Sequence, residues 1–256
     1  MIKPGQQVKS CHDIKTDFLF HQRKLIHFVM KNSYCFISLN SPLFSMGITE
    51  IIDAFIDGMK NTGPVEYIAV FAGIISVWYS RKENILVYPT GLVNTVFYVY
   101  LSFAGGLLGE ASVNFYYSVM SIYGWILWTR KDVNKQTVLH ITASSKKEWF
   151  YQLLFFSLFF VAIFFALTYL KKDFSPNAIP WADALASASA YTGMWLMTKK
   201  KLESWIWWIV TNIASIPLYF VKNYVFTSVY YVVLLIMAVA GFIEWRKRIN
   251  QQRDGA

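Results

Sequence analysis

Seven long apolar runs, separated by short polar stretches, dominate the pattern of the chain. Each run is close to the ~20 residues that a helix needs to cross the hydrocarbon core of a bilayer. None alternates apolar and polar residues as a barrel strand does, and in lipid a helix satisfies its own backbone groups. The pattern therefore predicts an all-α membrane protein. The predicted transmembrane helices are 65–80, 85–106, 111–129, 149–170, 181–198, 204–224 and 226–245.

Lysine and arginine are concentrated on alternate loops between these runs. Basic clusters stand at Arg81–Lys82, in the connector Arg130–Lys147, at Lys199–Lys201 and at Arg246–Arg248. The intervening loops carry few basic residues. Because cytoplasmic loops are enriched in Lys and Arg, we expect these clusters and the C-terminus to be cytoplasmic.

The region before the first clear run is more ambiguous. Residues 1–31 are basic and polar, which predicts a cytoplasmic tail. Residues 33–58 are moderately apolar, but Pro42, Gly47 and three acidic residues interrupt them. They either cross the membrane once or lie in its interface. A cytoplasmic N-terminus requires an eighth crossing, so we expect 33–58 to form an extra N-terminal transmembrane helix.

The sequence contains an internal repeat with an offset of 117 positions. In both copies the first helix ends in a tryptophan and a basic cluster, and the third ends in G-x-x-x-W followed by Arg or Lys. The second helix of each copy holds an asparagine, Asn94 or Asn212. Two three-helix units joined by one linking helix predict a 3+1+3 arrangement with parallel repeats. The matching pairs are Trp78 with Trp195, Gly124 with Gly241, and Trp128 with Trp245.

Composition agrees with a membrane protein and excludes several functions. The chain is 55% hydrophobic and 15% charged, which is less charge than a soluble domain carries. The net charge of +9 does not indicate nucleic-acid binding, because the basic residues stand in loop clusters. The motifs H-E-x-x-H and G-x-S-x-G and the Walker sequence are absent, so we expect no enzyme activity, cofactor or metal site.

One segment, Glu203–Phe220, combines membrane length with unusual chemistry. Trp205, Trp208 and Asn212 have the spacing i, i+3, i+7, so a helix presents them on one face. Two indole surfaces suit a flat organic ring, and an amide suits a hydroxyl or carboxamide. Asparagine is costly in lipid unless it faces another helix or a wet cavity. The alternative is an interfacial tryptophan belt with the asparagine joining two helices.

Further polar residues at this depth are candidates for a substrate site between the two repeats. Each has a structural alternative: an amide that joins helices, a residue that caps a helix start, or a tyrosine that only packs. Aromatic rings with neutral amides and hydroxyls suit an uncharged or singly cationic, ring-containing, hydroxylated molecule, whereas phosphate would need Arg or Lys. These further candidates are Asn94, Asn114, Tyr117, Asp183, Ser187 and Tyr191.

The same runs lack the residues of a coupled transporter. All four histidines lie outside them, and no Lys or Arg lies deep in one. Proton-coupled carriers normally use buried titratable groups. The sequence therefore predicts movement of a solute down its own gradient.

Motifs from both halves resemble the PnuC nicotinamide riboside transporters of bacteria. They are W-x-x-W-x-x-x-N ending at Asn212, the preceding K-K-K-L-E-S-W, and N-F-Y-Y-S-V-M-S-I-Y-G-W-I-L-W from Asn114 to Trp128. The resemblance covers about residues 65–248. It implies a SWEET-like fold, facilitated diffusion of nicotinamide riboside, and trapping of the riboside by a cytoplasmic kinase that phosphorylates it. It also implies that Trp205, Trp208 and Asn212 line the pocket, with Asn114 as a further candidate.

These inferences define the expected organisation and partners. We expect a multi-pass protein of the bacterial inner membrane, with lipid and nicotinamide riboside as partners, a functional link to a riboside kinase, no nucleic acid, and a homo-oligomer left open. The alternatives are a carrier of thiamine or another B vitamin, a ligand sensor that does not transport, and a structural scaffold. The expected parts are 1–60, a basic tail with the extra membrane helix; 65–130, the first repeat; 131–180, the connector and linking helix; 181–248, the second repeat; and 249–256, a cytoplasmic tail.

Overall fold

Eight α-helices account for most of the chain described by the computed structural model of the protein. The described residues are 47–104, 108–131, 137–174, 178–222 and 224–254. The chain falls into two compact units, 1–50 and 51–256, and the bundle α2 to α8 belongs to the second. The helices are α1 Ile48–Asn61, α2 Pro64–Arg81, α3 Val87–Ala104, α4 Leu108–Thr129, α5 Lys146–Phe174, α6 Pro180–Thr198, α7 Glu203–Val221 and α8 Val225–Asp254.

The predicted all-helical fold is confirmed. Helices α2 to α8 coincide, in order, with the seven predicted segments. The largest difference is at the end of α8, which continues to Asp254 rather than stopping near 245. The residues of this extension are polar and mostly good helix formers, so the helix continues beyond its apolar part.

Three of these helices, α5, α7 and α8, are long and apolar enough by length and composition alone to cross a membrane. The other described helices do not meet this test on their own, and in some of them polar residues face the protein interior. Helix α6 shows this best, since most of its buried residues are Ala, Ser or Thr. Small residues allow close helix packing in a membrane, and hydroxyl groups can hydrogen-bond to neighbouring backbone. The Thr192 hydroxyl, for example, donates to the Ala188 carbonyl at 2.8 Å.

Helix α1 covers only part of the predicted extra membrane helix, since residues 33–46 lie outside the described part of the chain. Its 14 residues span about 21 Å, less than the ~30 Å hydrocarbon core. Ile52, Ile56 and Met59 share one exposed apolar face. A bend of 109° separates α1 from α2. These features favour the interfacial alternative for 48–58, and an eighth crossing stays a prediction.

Six helices contact one another in a closed ring. In order around the ring they are α2, α3, α4, α6, α7 and α8, and α8 returns to α2. Helix α5, the predicted linking helix, packs against α6. The ring therefore joins the three helices of each predicted repeat at two places, α4 with α6 and α8 with α2.

Positions related by the 117-residue offset touch each other at one end of the bundle. The Ser80 hydroxyl lies 3.0 Å from the sulfur of Met197. The ammonium group of Lys200 lies 2.6 Å from the carboxylate of Glu83. Direct contact between equivalent positions is expected where two parallel repeats meet about a common axis. These contacts support the predicted arrangement, which the helix order alone does not establish.

The two G-x-x-x-W motifs make matching contacts. The Trp128 indole N–H donates to the carbonyl of Thr198, and the Trp245 indole N–H donates to that of Arg81. Each tryptophan therefore binds the end of the first helix of the other repeat. Each also packs edge-on against an aromatic ring at the start of its own repeat's second helix: Tyr88 meets Trp128 at 5.2 Å, and Trp205 meets Trp245 at 5.6 Å.

Four of the basic segments lie together at this end of the bundle. Glu244 pairs with Arg81 and Arg248, and Glu83 pairs with Arg248 and Lys200. The connector joins them, because the Lys200 ammonium donates to the Leu139 carbonyl at 2.9 Å. The structure therefore brings together, at one end of the bundle, the basic loops that the charge pattern assigns to one side of the membrane. We call this the basic end.

The glycines of the two motifs leave room for the packed rings. A Cβ at Gly124 would lie 2.4 Å from Tyr88 atoms, and a Cβ at Gly241 would lie 2.6 Å from the Trp205 ring. We expect Gly124→Ala and Gly241→Ala each to lower the free energy of unfolding by about 1–3 kcal/mol, because the added methyl group would overlap a nearly fully buried ring and force it out of its packed position. Thermal unfolding in detergent measures this.

Gly63→Ala is the matched control for these two variants. A Cβ at Gly63 would meet no atom within 4 Å, and its φ of −76° suits alanine. Its stability should change by no more than about 0.5 kcal/mol. Equal stability of all three variants would show that the rings can shift at no cost.

Candidate functional site

A cavity of about 500 Å³ lies within the helix ring. It extends from Ser80 and Met197, next to the basic end, to Glu66, Asp183 and the exposed Tyr224 at the opposite end. This volume falls within the ~300–1,000 Å³ typical of small-molecule sites. The contacts between equivalent positions close the cavity at the basic end.

All nine residues selected from the sequence line this cavity. The i, i+3, i+7 face of α7 therefore points inward, as its spacing predicts. Trp207 lies on another face, where its indole N–H donates to Gln152 of α5 at 3.2 Å. The nine lining residues are Asn94, Asn114, Tyr117, Asp183, Ser187, Tyr191, Trp205, Trp208 and Asn212.

One wall of the cavity is an aromatic cluster around Tyr117. Its ring centroid lies 6.0 Å from that of Trp208 and 6.4 Å from that of Tyr191. Tyr191 also meets Tyr116 edge-on at 4.4 Å. Gly193 allows this arrangement, because its Cα faces the Trp208 ring, which a Cβ would approach to 3.3 Å. The cluster gives a flat, polarisable surface to a bound ring.

Asn212 is the clearest polar candidate. Its side chain is 3% exposed and makes no hydrogen bond to any described residue. A buried amide without a partner is costly, so such a group in a cavity wall is available to a ligand or water. The structure thus places a free amide one helical turn from the half-buried Trp208 ring.

The side chains of three other predicted residues already make contacts with neighbouring parts of the protein. The Asn94 amide donates to the Ala69 carbonyl at 2.7 Å, which makes it a link between α3 and α2. Asp183 accepts a hydrogen bond from the Ile179 backbone N–H at 2.6 Å, at the start of its helix, and pairs with Lys222 at 2.7 Å. Trp205 is 1% exposed, and its ring packs against Gly241 and Trp245. These contacts agree with the structural alternatives for Asn94 and Asp183 and give Trp205 mainly a packing role.

Several further lining residues are related by the repeat to residues predicted from the sequence. Adding 117 to Asn114 gives Tyr231, and subtracting 117 from Asp183 gives Glu66; both line the cavity. The offset also relates Tyr98 to Ser215, two further lining residues. The 117-residue offset from each predicted residue therefore identifies further residues that line the cavity.

The described lining contains no Lys, Arg or His, and Glu66 and Asp183 are its charged residues. A phosphate group would find no cationic partner there. A ring of helices around a central aromatic and amide-bearing cavity, closed at one end, is typical of multi-pass membrane transporters for small molecules.

Comparison with known proteins specifies the family. The family model described as nicotinamide mononucleotide transporter matches residues 63–247. The chain belongs to this family. It is 23% identical over 210 residues to the nicotinamide riboside transporter PnuC of Escherichia coli (strain K12), which covers 74% of this chain and 87% of that protein.

Other relatives carry related names. The nicotinamide riboside transporter PnuC of Neisseria mucosa is 26% identical over 195 residues, covering 72% of each chain. The riboflavin/roseoflavin transporter RibM of Streptomyces davaonensis is 21% identical over 177 residues, covering 68% of this chain and 80% of its own. The crystal structure of the vitamin B3 transporter PnuC has the same fold, with a TM-score of 0.61 and 22% identity over 78% of this chain and 88% of that one.

Proposed function

We propose that this protein carries nicotinamide riboside across the bacterial inner membrane. The observation that carries the proposal is the unpartnered amide of Asn212 beside the aromatic wall of Trp208 and Tyr117. The names of its E. coli and N. mucosa relatives support the same substrate. The family description names the mononucleotide instead, but its phosphate has no cationic partner in the described lining.

The chemistry of the riboside matches this cavity. Its nicotinamide ring is a flat pyridinium cation, which an indole or phenol face attracts by about 0.5–2 kcal/mol. Its carboxamide and ribose hydroxyls can pair with Asn212 and with the hydroxyl and amide groups of Ser187 and Asn114. We therefore assign stacking to Trp208 and Tyr117 and hydrogen bonding to these polar groups.

We propose that transport proceeds by alternating access. In this structure the basic end is sealed by Ser80, Met197 and the Glu83–Lys200 pair. Opening this end and closing the other would expose the same cavity to the second side of the membrane. Because the four basic segments meet at the sealed end, we place that end, with the C-terminus, in the cytoplasm.

We further propose that uptake is facilitated diffusion, made directional by chemistry outside the membrane. A cytoplasmic kinase that phosphorylates the riboside would remove it from the equilibrium. The product would carry a phosphate that the cavity does not accommodate, so it would not leave by the same route. The protein itself needs no energy source in this scheme.

Flux into liposomes tests the proposal. Purified protein is reconstituted, and uptake of nicotinamide riboside, its mononucleotide, thiamine and riboflavin is compared with that of empty liposomes. Saturable uptake of the riboside without uptake of the mononucleotide is the expected result. Preference for riboflavin, the substrate in the name of RibM, would retain the carrier and replace the substrate. Binding without flux would indicate a sensor.

Truncation of the two central side chains should weaken riboside binding. We expect Trp208→Ala to raise the dissociation constant about 5- to 150-fold, because stacking on an aromatic side chain contributes about 1–3 kcal/mol. Asn212→Ala should raise it about tenfold, since one buried hydrogen bond is lost. Calorimetric titration of the detergent-purified variants measures both.

The controls for these variants lie on the outer surface of the bundle. Trp125 is 39% exposed on α4, and Ile213 is 56% exposed beside Asn212 on α7. Trp125→Ala and Ile213→Ala should leave the affinity unchanged. If Trp208→Ala and Asn212→Ala also leave it unchanged, α7 does not contribute to the substrate site.

A further inference from the structure

Glu66 introduces a negative charge into the wall of the cavity. It lies in the first turn of α2, and its side chain is half-buried. The carboxylate makes no hydrogen bond or ion pair to any residue that the structure describes. It is therefore available to a ligand in the cavity.

The repeat gives Glu66 an equivalent whose charge is neutralised. Asp183, 117 positions later, also lines the cavity from the first turn of its helix, α6. Its carboxylate accepts hydrogen bonds from the Lys222 ammonium at 2.7 Å and from the Ile179 backbone N–H at 2.6 Å. Among the described lining residues, Glu66 thus holds the one uncompensated charge.

The other charged groups around the cavity are paired. Arg81, Lys200 and Arg248 pair with Glu244 and Glu83 at the basic end, and Lys222 pairs with Asp183 at the opposite end. The unpaired carboxylate of Glu66 should therefore make its part of the cavity negative, and the partly apolar walls limit screening by water.

We propose that Glu66 determines specificity for the charge of the substrate. This proposal rests on the proposed function. Glu66 would recognise the positive charge of the pyridinium ring, whereas other lining residues recognise the shape of the riboside. An uncharged molecule of nearly the same shape gains nothing from this carboxylate. We expect the protein to prefer the cation by about tenfold or more, within the range by which charged clefts concentrate their ligands.

The test compares nicotinamide riboside with its reduced form. Reduction of the ring by a hydride removes the positive charge and leaves the ribose and carboxamide in place. Affinity for both compounds is measured for the wild type, Glu66→Gln, Glu66→Asp and Asp57→Asn. Asp57 is a control for removal of one negative charge, since its side chain on α1 is 71% exposed.

The expected result is a loss of charge preference in Glu66→Gln alone. That variant should bind the cation about tenfold more weakly and the reduced riboside as before, whereas Glu66→Asp and Asp57→Asn should keep the preference. Raising the salt concentration should lower the preference of the wild type. An unchanged ratio in Glu66→Gln, or an equal loss for both compounds, would overturn the proposal. Failure of the wild type to bind either compound would instead refute the proposed function.

Discussion

Glu83→Gln should destabilise the protein far more than Lys200→Met, although both variants break the same ion pair. Lys200 is 4% exposed, so Glu83→Gln leaves a buried ammonium without its counter-charge. Such a loss costs about 3–5 kcal/mol. Lys200→Met leaves Glu83 still paired with Arg248 at 3.1 Å and partly in contact with solvent. We expect this second change to cost much less.

The double variant Glu83→Gln/Lys200→Met distinguishes the effect of the ion pair on stability from the effect of side-chain packing. With both charges gone, most of the stability lost in Glu83→Gln should return, and the coupling in this double-mutant cycle should exceed about 1 kcal/mol. Thermal unfolding in detergent gives the three values. Equal effects of the two single variants, with simple addition in the double variant, would show that the pair does not join the two repeats.

Uptake of the riboside should follow the membrane potential. A uniporter moves the single positive charge of its substrate and nothing else. A potential of 100 mV, negative inside, is worth about 2.3 kcal/mol for one charge, or roughly 50-fold accumulation at equilibrium. A potassium diffusion potential across liposomes, set with valinomycin, provides this potential.

A pH gradient without a potential is the control for that experiment. It should leave accumulation unchanged, because in the proposed uniport Glu66 binds the cation rather than carrying a proton, and the Asp183 carboxylate is paired. Accumulation driven by the pH gradient would instead show proton coupling, with Glu66 as the first residue to replace. Accumulation that does not depend on the membrane potential would contradict uniport of a cation.

Local sequence patterns predicted the helices and one face of the site well. Most helix ends followed from the lengths of apolar runs, although α8 continues through polar residues to Asp254. The inward face of α7 followed from the spacing of Trp208 and Asn212. These are properties of a single helix, which its own sequence determines. The placement of all nine candidates on one cavity also required the repeat, which indicates which helices enclose a common space.

These local patterns do not predict contacts between loops that are distant in the sequence. The pairing of Glu83 with Lys200 depends on how two turns approach each other, and no helical period encodes this. Glu66 was missed for a related reason: near the start of a helix an acidic residue usually complements the helix dipole. The 117-residue offset from Asp183 points to this position, and the three-dimensional structure shows that its carboxylate borders the cavity.

Glu83 and Lys200 share an unusual backbone conformation. Glu83 has a φ of 58° and Lys200 a φ of 51°, a left-handed conformation that glycine adopts more easily. Both residues follow the end of a helix, where such a conformation is common. Long charged side chains stand at both of these positions and meet each other in the ion pair.

This pair also depends on a difference between the two repeats. Positions 83 and 200 are equivalent in the repeat and touch each other. In a dimer of two identical halves the same contact would bring two identical residues together, and two glutamates or two lysines would repel each other. Opposite charges at this contact therefore require two copies that differ in sequence, which a single chain provides. The seal of the basic end thus relies on the sequence asymmetry of the two repeats.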